Sequence, residues 1–289
     1  MPSFTLDSPH GLTSITDTSL KNSTPTLLLL HDNSSSAKPF RPILDSPTIN
    51  TKHRIVTLCL PGHGASSNTP DPEKTYWQRG YADLAVHILQ HLRITQVVVM
   101  GWGLGGHIGI EMVDLVKQAG IELRGLMLVG APPALGREQV GQAFKFEDGG
   151  LGLGGQASWS EEQAEGFARK IAAGGREEYF EKFMLEDAMR ADGRARMVLQ
   201  NSLLGTEGRG PVGVDQRRVV EETDVLVAVV NGAEEQFVNL DYLDGIRWKR
   251  LWKGECIRLE GLRHAPFWED PERFEALLVE FLKDCCETE

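Results

Sequence analysis

The stretch that bears most directly on chemistry is residues 101–106, which read Gly-Trp-Gly-Leu-Gly-Gly. It follows a mostly apolar run at 96–100 and opens a helical pattern over 105–117. A strand, a sharp turn and a helix in this order are the setting of the nucleophile elbow, G-x-S-x-G, whose exposed serine attacks an acyl carbon. Gly103 stands where that serine would stand. The chain as written therefore cannot run serine acyl chemistry.

Short β-rich runs alternate with helical patterns along the chain, which predicts an α/β fold. We predict strands at 12–17, 26–31, 54–60, 96–101, 123–130, 225–231 and 255–259, and helices at 37–44, 75–92, 105–117, 240–250 and 271–285. Helices that separate apolar strands indicate a mostly parallel sheet with helices on both faces.

Residues 132–219 break this alternation, because they contain no convincing strand. A glycine-rich segment at 149–155 is followed by helical patterns, and the first of these places Phe167 on one apolar face with Ala164 and Ile171. No Gly-Lys-Ser/Thr follows the glycines, so we interpret them as a hinge or a plain loop rather than a phosphate site. We predict a core formed by 1–131 and 220–289 and a helical cap formed by 132–219, which would cover the ligand crevice at the strand ends.

Composition excludes several classes of partner. The 289 residues carry a net charge of −11 with no Lys/Arg cluster, which argues against nucleic acid and anionic membranes. The four cysteines have no metal-site or disulfide spacing, and the N-terminus has no signal-peptide pattern. We expect a cytoplasmic protein that binds a small molecule and holds neither a metal nor an organic cofactor; the sequence gives no indication of oligomeric state.

Five motifs, in order along the chain, carry a resemblance to a known family. They are Leu30-His31-Asp32-Asn33, Pro61-Gly62-His63-Gly64, the elbow at 101–105, Asn231-Gly232-Ala233-Glu234-Glu235, and Arg263-His264-Ala265-Pro266-Phe267. In this order they resemble the α/β-hydrolase superfamily, especially its capped esterase, lactonase and C–C hydrolase branch, over almost the whole chain.

The resemblance implies a role for several residues. His264 matches the catalytic histidine, and Glu235 matches the acid that orients it, with the adjacent Glu234 as its rival. The backbone N–H groups of Asn33 and Leu104 match the oxyanion donors, which hold the negative oxygen formed during acyl transfer.

Three positions depart from the family pattern: Gly103 replaces serine, Asp32 replaces a glycine, and Arg263 replaces the glycine before the histidine. Glycine adopts the strained elbow conformation without penalty, so we expect an intact turn with a void of about one water molecule. Asp32 has two open interpretations. Pointing inward, it acts as an acid or base or binds a cationic group of the ligand; pointing outward, it caps a turn.

Three functions remain open from the sequence. The first is an enzyme without a covalent serine, in which His264 and Glu235 act as a general acid–base pair for hydrolysis by water or for lyase- or cyclase-type proton transfer. The second is an ester or lactone hydrolase whose serine at position 103 was replaced by glycine, natively or by design, so that substrate is trapped. The third is a non-catalytic ligand-binding relative.

All three functions share an apolar or amphipathic small-molecule ligand, held between the cap and the strand ends. The residues that we expect to line its site are Trp102, Phe167, Tyr179, Phe183, Met184 and Phe267.

Overall fold

The computed structural model describes residues 2–20, 25–145, 150–206 and 212–287. Its centre is an eight-stranded sheet in the order β1-β2-β4-β3-β5-β6-β7-β8. The strands are β1 (Ser3–Ser8), β2 (Gly11–Asp17), β3 (Thr26–Leu30), β4 (Ile55–Leu58), β5 (Gln96–Trp102), β6 (Glu122–Val129), β7 (Leu226–Gly232) and β8 (Ile257–Leu259).

The sheet is parallel from β4 to β8, and only β1 and β2 run antiparallel to their neighbours. This confirms the predicted mostly parallel sheet. Each predicted strand is present within a few residues of its expected ends. The sequence missed β1, because its mainly polar composition gives little apolar signal; it forms an exposed edge hairpin with β2.

Helices cover both faces of the sheet. They are α1 (Arg41–Asp45), α2 (Pro47–Asn50), α3 (Pro72–Thr75), α4 (Gln78–His91), α5 (Leu104–Gln118), α6 (Gly136–Ala143), α7 (Gly150–Gly154), α8 (Glu161–Ala173), α9 (Lys182–Arg190), α10 (Gly193–Leu203), α11 (Gln216–Glu222), α12 (Leu240–Asp244), α13 (Pro266–Glu269) and α14 (Pro271–Glu287).

The central strands divide their side chains between two cores. In β3, Leu28 and Leu30 pack in one apolar cluster with residues of α4 and α5, whereas Leu27 and Leu29 pack in the opposite cluster with residues of α1 and α14. Successive side chains of a strand point to opposite faces, so a strand of four leucines is buried on both sides. The apolar runs are thus explained by burial of both faces.

The described residues between β6 and β7 form helices α6 to α11 and no strand, as the sequence predicts. Gly149 lies outside the described residues, and residues 150–154, expected as loop, form the short helix α7. The predicted helix at 240–250 ends at Asp244, where Gly245 follows and the chain turns. The division into a core and a cap remains a prediction.

Hydrogen bonds attach these helices to the strand-bearing part of the chain. Asp187 of α9 is buried and accepts hydrogen bonds from Ser36 Oγ at 2.6 Å and Lys38 Nζ at 2.8 Å. Asp192, just before α10, accepts one from the hydroxyl of Tyr76 at 2.9 Å. The helical segment is therefore held against the loop after β3 and the loop before α4.

Candidate active site

The turn between β5 and α5 has the elbow conformation. Gly103 has φ 52° and ψ −116°, a left-handed backbone that favours glycine, and α5 begins at Leu104. The neighbouring Gly105 is required by close packing, because a Cβ there would lie 2.0 Å from the carbonyl oxygen of Leu30. The turn therefore brings the start of α5 directly against the end of β3, where Asp32 follows.

The Asp32 side chain points inward and is bound at the elbow. Its Oδ1 accepts hydrogen bonds from the backbone N–H groups of Asn33 and Leu104, each at 2.7 Å. These are the two donors that the sequence predicts for an oxyanion. In this structure they hold the aspartate's own carboxylate, since a carboxylate oxygen satisfies both amides as a substrate oxyanion would.

The void expected at Gly103 is filled, which corrects the sequence-based expectation. A Cβ placed on Gly103 would lie 2.0 Å from both Cγ and Oδ1 of Asp32. The carboxylate of Asp32 thus occupies the space that a side chain at position 103 would need. The sequence could not show this, because residues 32 and 103 meet only in the folded chain.

The side chains of Glu235, His264 and Asp32 contact one another in that order next to the elbow. Nδ1 of His264 lies 2.8 Å from Oε2 of Glu235, and Nε2 of His264 lies 3.2 Å from Oδ2 of Asp32. All three residues are buried. The histidine ring is therefore held at both nitrogens between two carboxylates.

This arrangement decides the charge of the histidine. Burial alone would lower the pKa of His264, but the attraction of Glu235 and the hydrogen bonds to Asp32 and Glu235 outweigh burial and raise it to about 10. Burial raises the pKa of Glu235, yet the charge and hydrogen bond of His264 leave it below the ordinary value. At neutral pH the ring is therefore an imidazolium, which donates a hydrogen bond to each carboxylate.

The two candidate acids occupy different environments. Glu235 is fully buried at the histidine, and its Oε1 also accepts a hydrogen bond from the N–H of Phe237 at 2.8 Å. Glu234 is half exposed and forms ion pairs with Arg176 and Arg263. The geometry therefore places Glu235, not Glu234, beside His264.

Several residues that position the site were not singled out from the sequence. The carboxylate of Glu269 accepts hydrogen bonds from the backbone N–H groups of Arg263 and Ala265, which flank His264. The ring of Phe237 packs edge-on against the imidazole, with centroids 4.8 Å apart. The only sequence signal for Glu269 is its place five residues after the histidine, at the end of α13.

His31 fixes the backbone of the aspartate. Its Nε2 accepts a hydrogen bond from the N–H of Leu60 at 2.9 Å, so its Nδ1 carries the proton and donates to the carbonyl oxygen of Asp32 at 2.7 Å. Burial lowers the pKa of His31 to about 4, so the ring stays neutral. His31 therefore holds Asp32 without adding a charge to the site.

A cavity opens onto this group, and it brings together most of the predicted polar site residues. It is lined by Asp32, Asn33, Gln78, Gly103, Leu104, His107, Gly130, Phe144, Gly154, Gly155, Phe167, Ile171, Leu199, Gln200, Leu203, Leu204, Phe237 and His264. Phe167 is the only one of the six aromatic and methionine residues predicted to line the site that does so in this cavity.

The other five lie outside that lining, because each packs elsewhere. They are Trp102, Tyr179, Phe183, Met184 and Phe267. Trp102 is fully buried and donates its indole N–H to the carbonyl oxygen of His264 at 3.0 Å. Phe267 packs on Trp102, and Phe183 packs on Trp268. Position in the sequence does not show the direction of a side chain, and these five side chains do not line the cavity.

In the described part of the chain, no cluster of three or more His, Cys, Asp or Glu side chains is suited to hold a metal ion. None of the helices in the described ranges is long and apolar enough to cross a membrane.

Comparison with known proteins gives a family and a close structural neighbour. The alpha/beta hydrolase family matches residues 27–277. The crystal structure of the N-acyl homoserine lactonase AidH with N-butanoyl homoserine is 38% identical, with a TM-score of 0.90, and the match covers 100% of this chain and 99% of that chain. A serine-to-glycine variant of AidH with N-hexanoyl homoserine lactone matches equally well, over 100% of both chains.

A curated relative matches over a shorter length. The 30 kDa subunit of magnesium chelatase from Rhodobacter capsulatus is 32% identical over 88 residues, which is 30% of this chain and 30% of that subunit. The chain therefore matches only about a third of the length of this relative.

Proposed function

Because the chain belongs to the alpha/beta hydrolase family, we propose that it hydrolyses a small amphipathic ester or lactone, of the N-acyl homoserine lactone class, with water in place of a serine nucleophile. The observation that carries this proposal is the position of Asp32. Its carboxylate fills the place of a side chain at Gly103 and lies 3.2 Å from Nε2 of His264. A base and an acid are thus adjacent where the serine would act.

In this proposal Asp32 is the base and His264 is the acid. Oδ2 of Asp32 takes a proton from a water molecule, whose oxygen adds to the carbonyl carbon of the substrate. As the acyl C–O bond breaks, the imidazolium of His264 gives its Nε2 proton to the leaving oxygen. The proton on Asp32 then returns to His264, which leaves a hydroxy acid as product and restores both groups.

Glu235 and the two elbow amides have supporting roles in this mechanism. Glu235 keeps His264 protonated, because it places a buried negative charge at Nδ1. The N–H groups of Asn33 and Leu104 fix Oδ1 of Asp32, so that the other oxygen faces the histidine. The base is therefore oriented before substrate arrives.

The substrate class rests on similarity and on the cavity wall. AidH is similar over the full chain, and its structures hold N-butanoyl homoserine and N-hexanoyl homoserine lactone. The cavity combines the charged pair with apolar side chains such as Phe144, Leu199 and Leu204. A polar ring with an alkyl tail suits a wall of that kind.

The test is hydrolysis of N-hexanoyl homoserine lactone, followed by chromatography of the ring-opened product. We expect turnover by the unmodified chain and a fall in kcat of about 10²-fold or more in Asp32→Asn, the scale of general acid–base catalysis. Asp7→Asn, on the exposed face of β1, serves as the matched control. Full activity in folded Asp32→Asn would contradict the proposed role of Asp32.

A second candidate is a serine hydrolase that has lost its nucleophile. The convergence of the Asn33 and Leu104 N–H groups on one point favours it, because an oxyanion hole has that form. In that case Asp32 takes the place of a substrate oxyanion and must leave before acyl chemistry can run. Labelling of the variants Gly103→Ser and Asp32→Gly/Gly103→Ser separates this candidate from the first.

A further inference from the structure

Gln78 lies in the wall of the cavity and carries a buried hydrogen-bond donor that has no partner among the described residues. It is the first residue of α4, is 1% exposed, and lines the same cavity as Asp32 and His264. Its Oε1 accepts a hydrogen bond from Ser202 Oγ at 2.8 Å, whereas its Nε2 has no partner among the described residues. A buried amide donor without a partner is destabilising.

The hydrogen bond from Ser202 orients the amide. Ser202 is fully buried on α10, so its hydroxyl holds Oε1 of Gln78 toward that helix. The free NH₂ group is therefore the end of the side chain that remains for a ligand. Because an NH₂ group only donates, its partner must be an acceptor such as a carbonyl oxygen.

The cavity wall near Ser202 is largely apolar. Leu199 and Leu203 of α10 line the cavity, as does Leu204, and Gln200 is the polar side chain that α10 adds to this lining. A buried donor beside leucine side chains suits a carbonyl group that interrupts an alkyl segment. In the proposed substrates, the amide that joins the acyl tail to the lactone ring is such a group.

We propose that Gln78 determines substrate specificity by donating from Nε2 to the amide carbonyl oxygen of the acyl group, with the alkyl tail against the leucines of α10. This inference rests on the proposed function. It adds that the protein distinguishes N-acyl lactones from lactones that carry a plain alkyl tail. The distinction arises because only the former satisfy the buried donor.

The test compares two substrates in the variant Gln78→Leu. N-hexanoyl homoserine lactone carries the amide, whereas γ-decalactone has the same five-membered lactone ring and an alkyl tail but no amide. We expect KM for the first to rise about tenfold or more with little change in kcat, because one buried hydrogen bond is lost. For γ-decalactone we expect KM to stay the same or fall, since the buried amide is gone.

Two controls accompany this comparison. Gln90→Leu makes the same substitution on the exposed side of α4 and should change neither substrate's kinetics. Ser202→Ala removes the group that orients the amide, and should give a smaller rise in KM for N-hexanoyl homoserine lactone alone. An equal loss for both substrates in Gln78→Leu would show a merely structural role and overturn the inference.

Failure of the proposed function can be told apart from failure of this inference. If the unmodified chain hydrolyses neither lactone, the proposed hydrolysis is wrong, and calorimetric titration of both lactones then tests recognition. Binding of N-hexanoyl homoserine lactone that weakens selectively in Gln78→Leu supports the inference without turnover. Binding that is absent, or insensitive to Gln78→Leu, overturns it.

Discussion

The carboxylate of Asp32 and a side chain at position 103 exclude each other. A Cβ on Gly103 would lie 2.0 Å from Cγ of Asp32, closer than two non-bonded carbons can approach. Asp32 and Gly103 are therefore one structural feature, not two separate departures from the family pattern. A side chain added at position 103 must therefore displace the carboxylate of Asp32, and this coupling gives the first prediction.

We predict that Gly103→Ser alone does not create a reactive serine. The new side chain meets the carboxylate of Asp32, which also holds both oxyanion donors. The double variant Asp32→Gly/Gly103→Ser removes the obstacle and frees the two N–H groups. We expect a fluorophosphonate adduct on the double variant and none on the single variant, as measured by intact mass.

The labelling experiment separates the two candidate functions. An adduct on the double variant, with lactone hydrolysis restored, favours a serine hydrolase that lost its nucleophile. An unmodified chain that hydrolyses lactone, and loses this activity in the double variant, favours the water mechanism. An adduct on folded Gly103→Ser would contradict the steric coupling itself.

The stability of the fold should depend on pH through His264. Its pKa is about 10 in the folded protein, compared with an ordinary value of 6.5, so the folded state binds the proton more tightly. The stabilisation is fully present below about pH 6.5 and is lost as pH rises through about 10. We expect the difference in unfolding free energy between the unmodified chain and His264→Gln to shrink from pH 6.5 to pH 10.5.

Urea unfolding of both proteins across this range measures the effect. Other groups that titrate there, such as the cysteines, are common to both proteins and cancel in the difference. A difference that stays constant with pH would contradict an imidazolium at His264.

Glu235→Gln should move the alkaline limit of activity. The charge of Glu235 raises the pKa of His264, and the proposed mechanism needs the protonated ring. Neutralising this partner lowers that pKa, so kcat/KM should begin to fall at a lower pH than in the unmodified chain. The pH profile of lactone hydrolysis tests this, and Glu234→Gln, the half-exposed neighbour, provides the matched control. An unshifted profile would mean that the protonation of His264 does not limit the reaction.

Glu269 should act through the position of His264. Its carboxylate binds the N–H groups of Arg263 and Ala265, and its side chain is fully buried. Glu269→Ala leaves two backbone donors, one buried and one part-buried, without this partner. The free energy of unfolding should fall by about 1–3 kcal/mol for each at most, and kcat should fall as well. Glu269→Gln retains an acceptor oxygen and should recover part of both losses. Equal activity of the alanine and glutamine variants would rule out this positioning role.

Much of the fold follows from local sequence patterns. The apolar runs at Thr26–Leu30 and Gln96–Trp102 form the central parallel strands, because burial of both faces requires apolar residues at every position. The exposed strand Ser3–Ser8 was missed for the converse reason: an edge strand needs no apolar run. The helix after Leu240 was predicted too long, because periodicity alone does not show where a chain turns.

For the candidate site, the motifs alone identify the residue types and their order along the chain. Five motifs identified His264, Glu235, Asn33 and Leu104 as a group, and Gly103 showed that no serine was available. The roles of these residues stay proposals. The sequence also restricted the backbone at the elbow, because only glycine adopts its conformation without strain.

The group that fills the elbow beside Gly103 could be identified only from the folded structure. Whether Asp32 points inward depends on contacts with residues 72 and 232 positions away along the chain, at Leu104 and His264. The same holds for Gln78. Its Nε2 is buried and has no partner among the described residues, whereas its Oε1 accepts a hydrogen bond from Ser202 of α10. A local sequence pattern shows which side chains are present. The charge of His264 and the identity of the group that fills the elbow depend on distances between atoms that come together only when the chain folds.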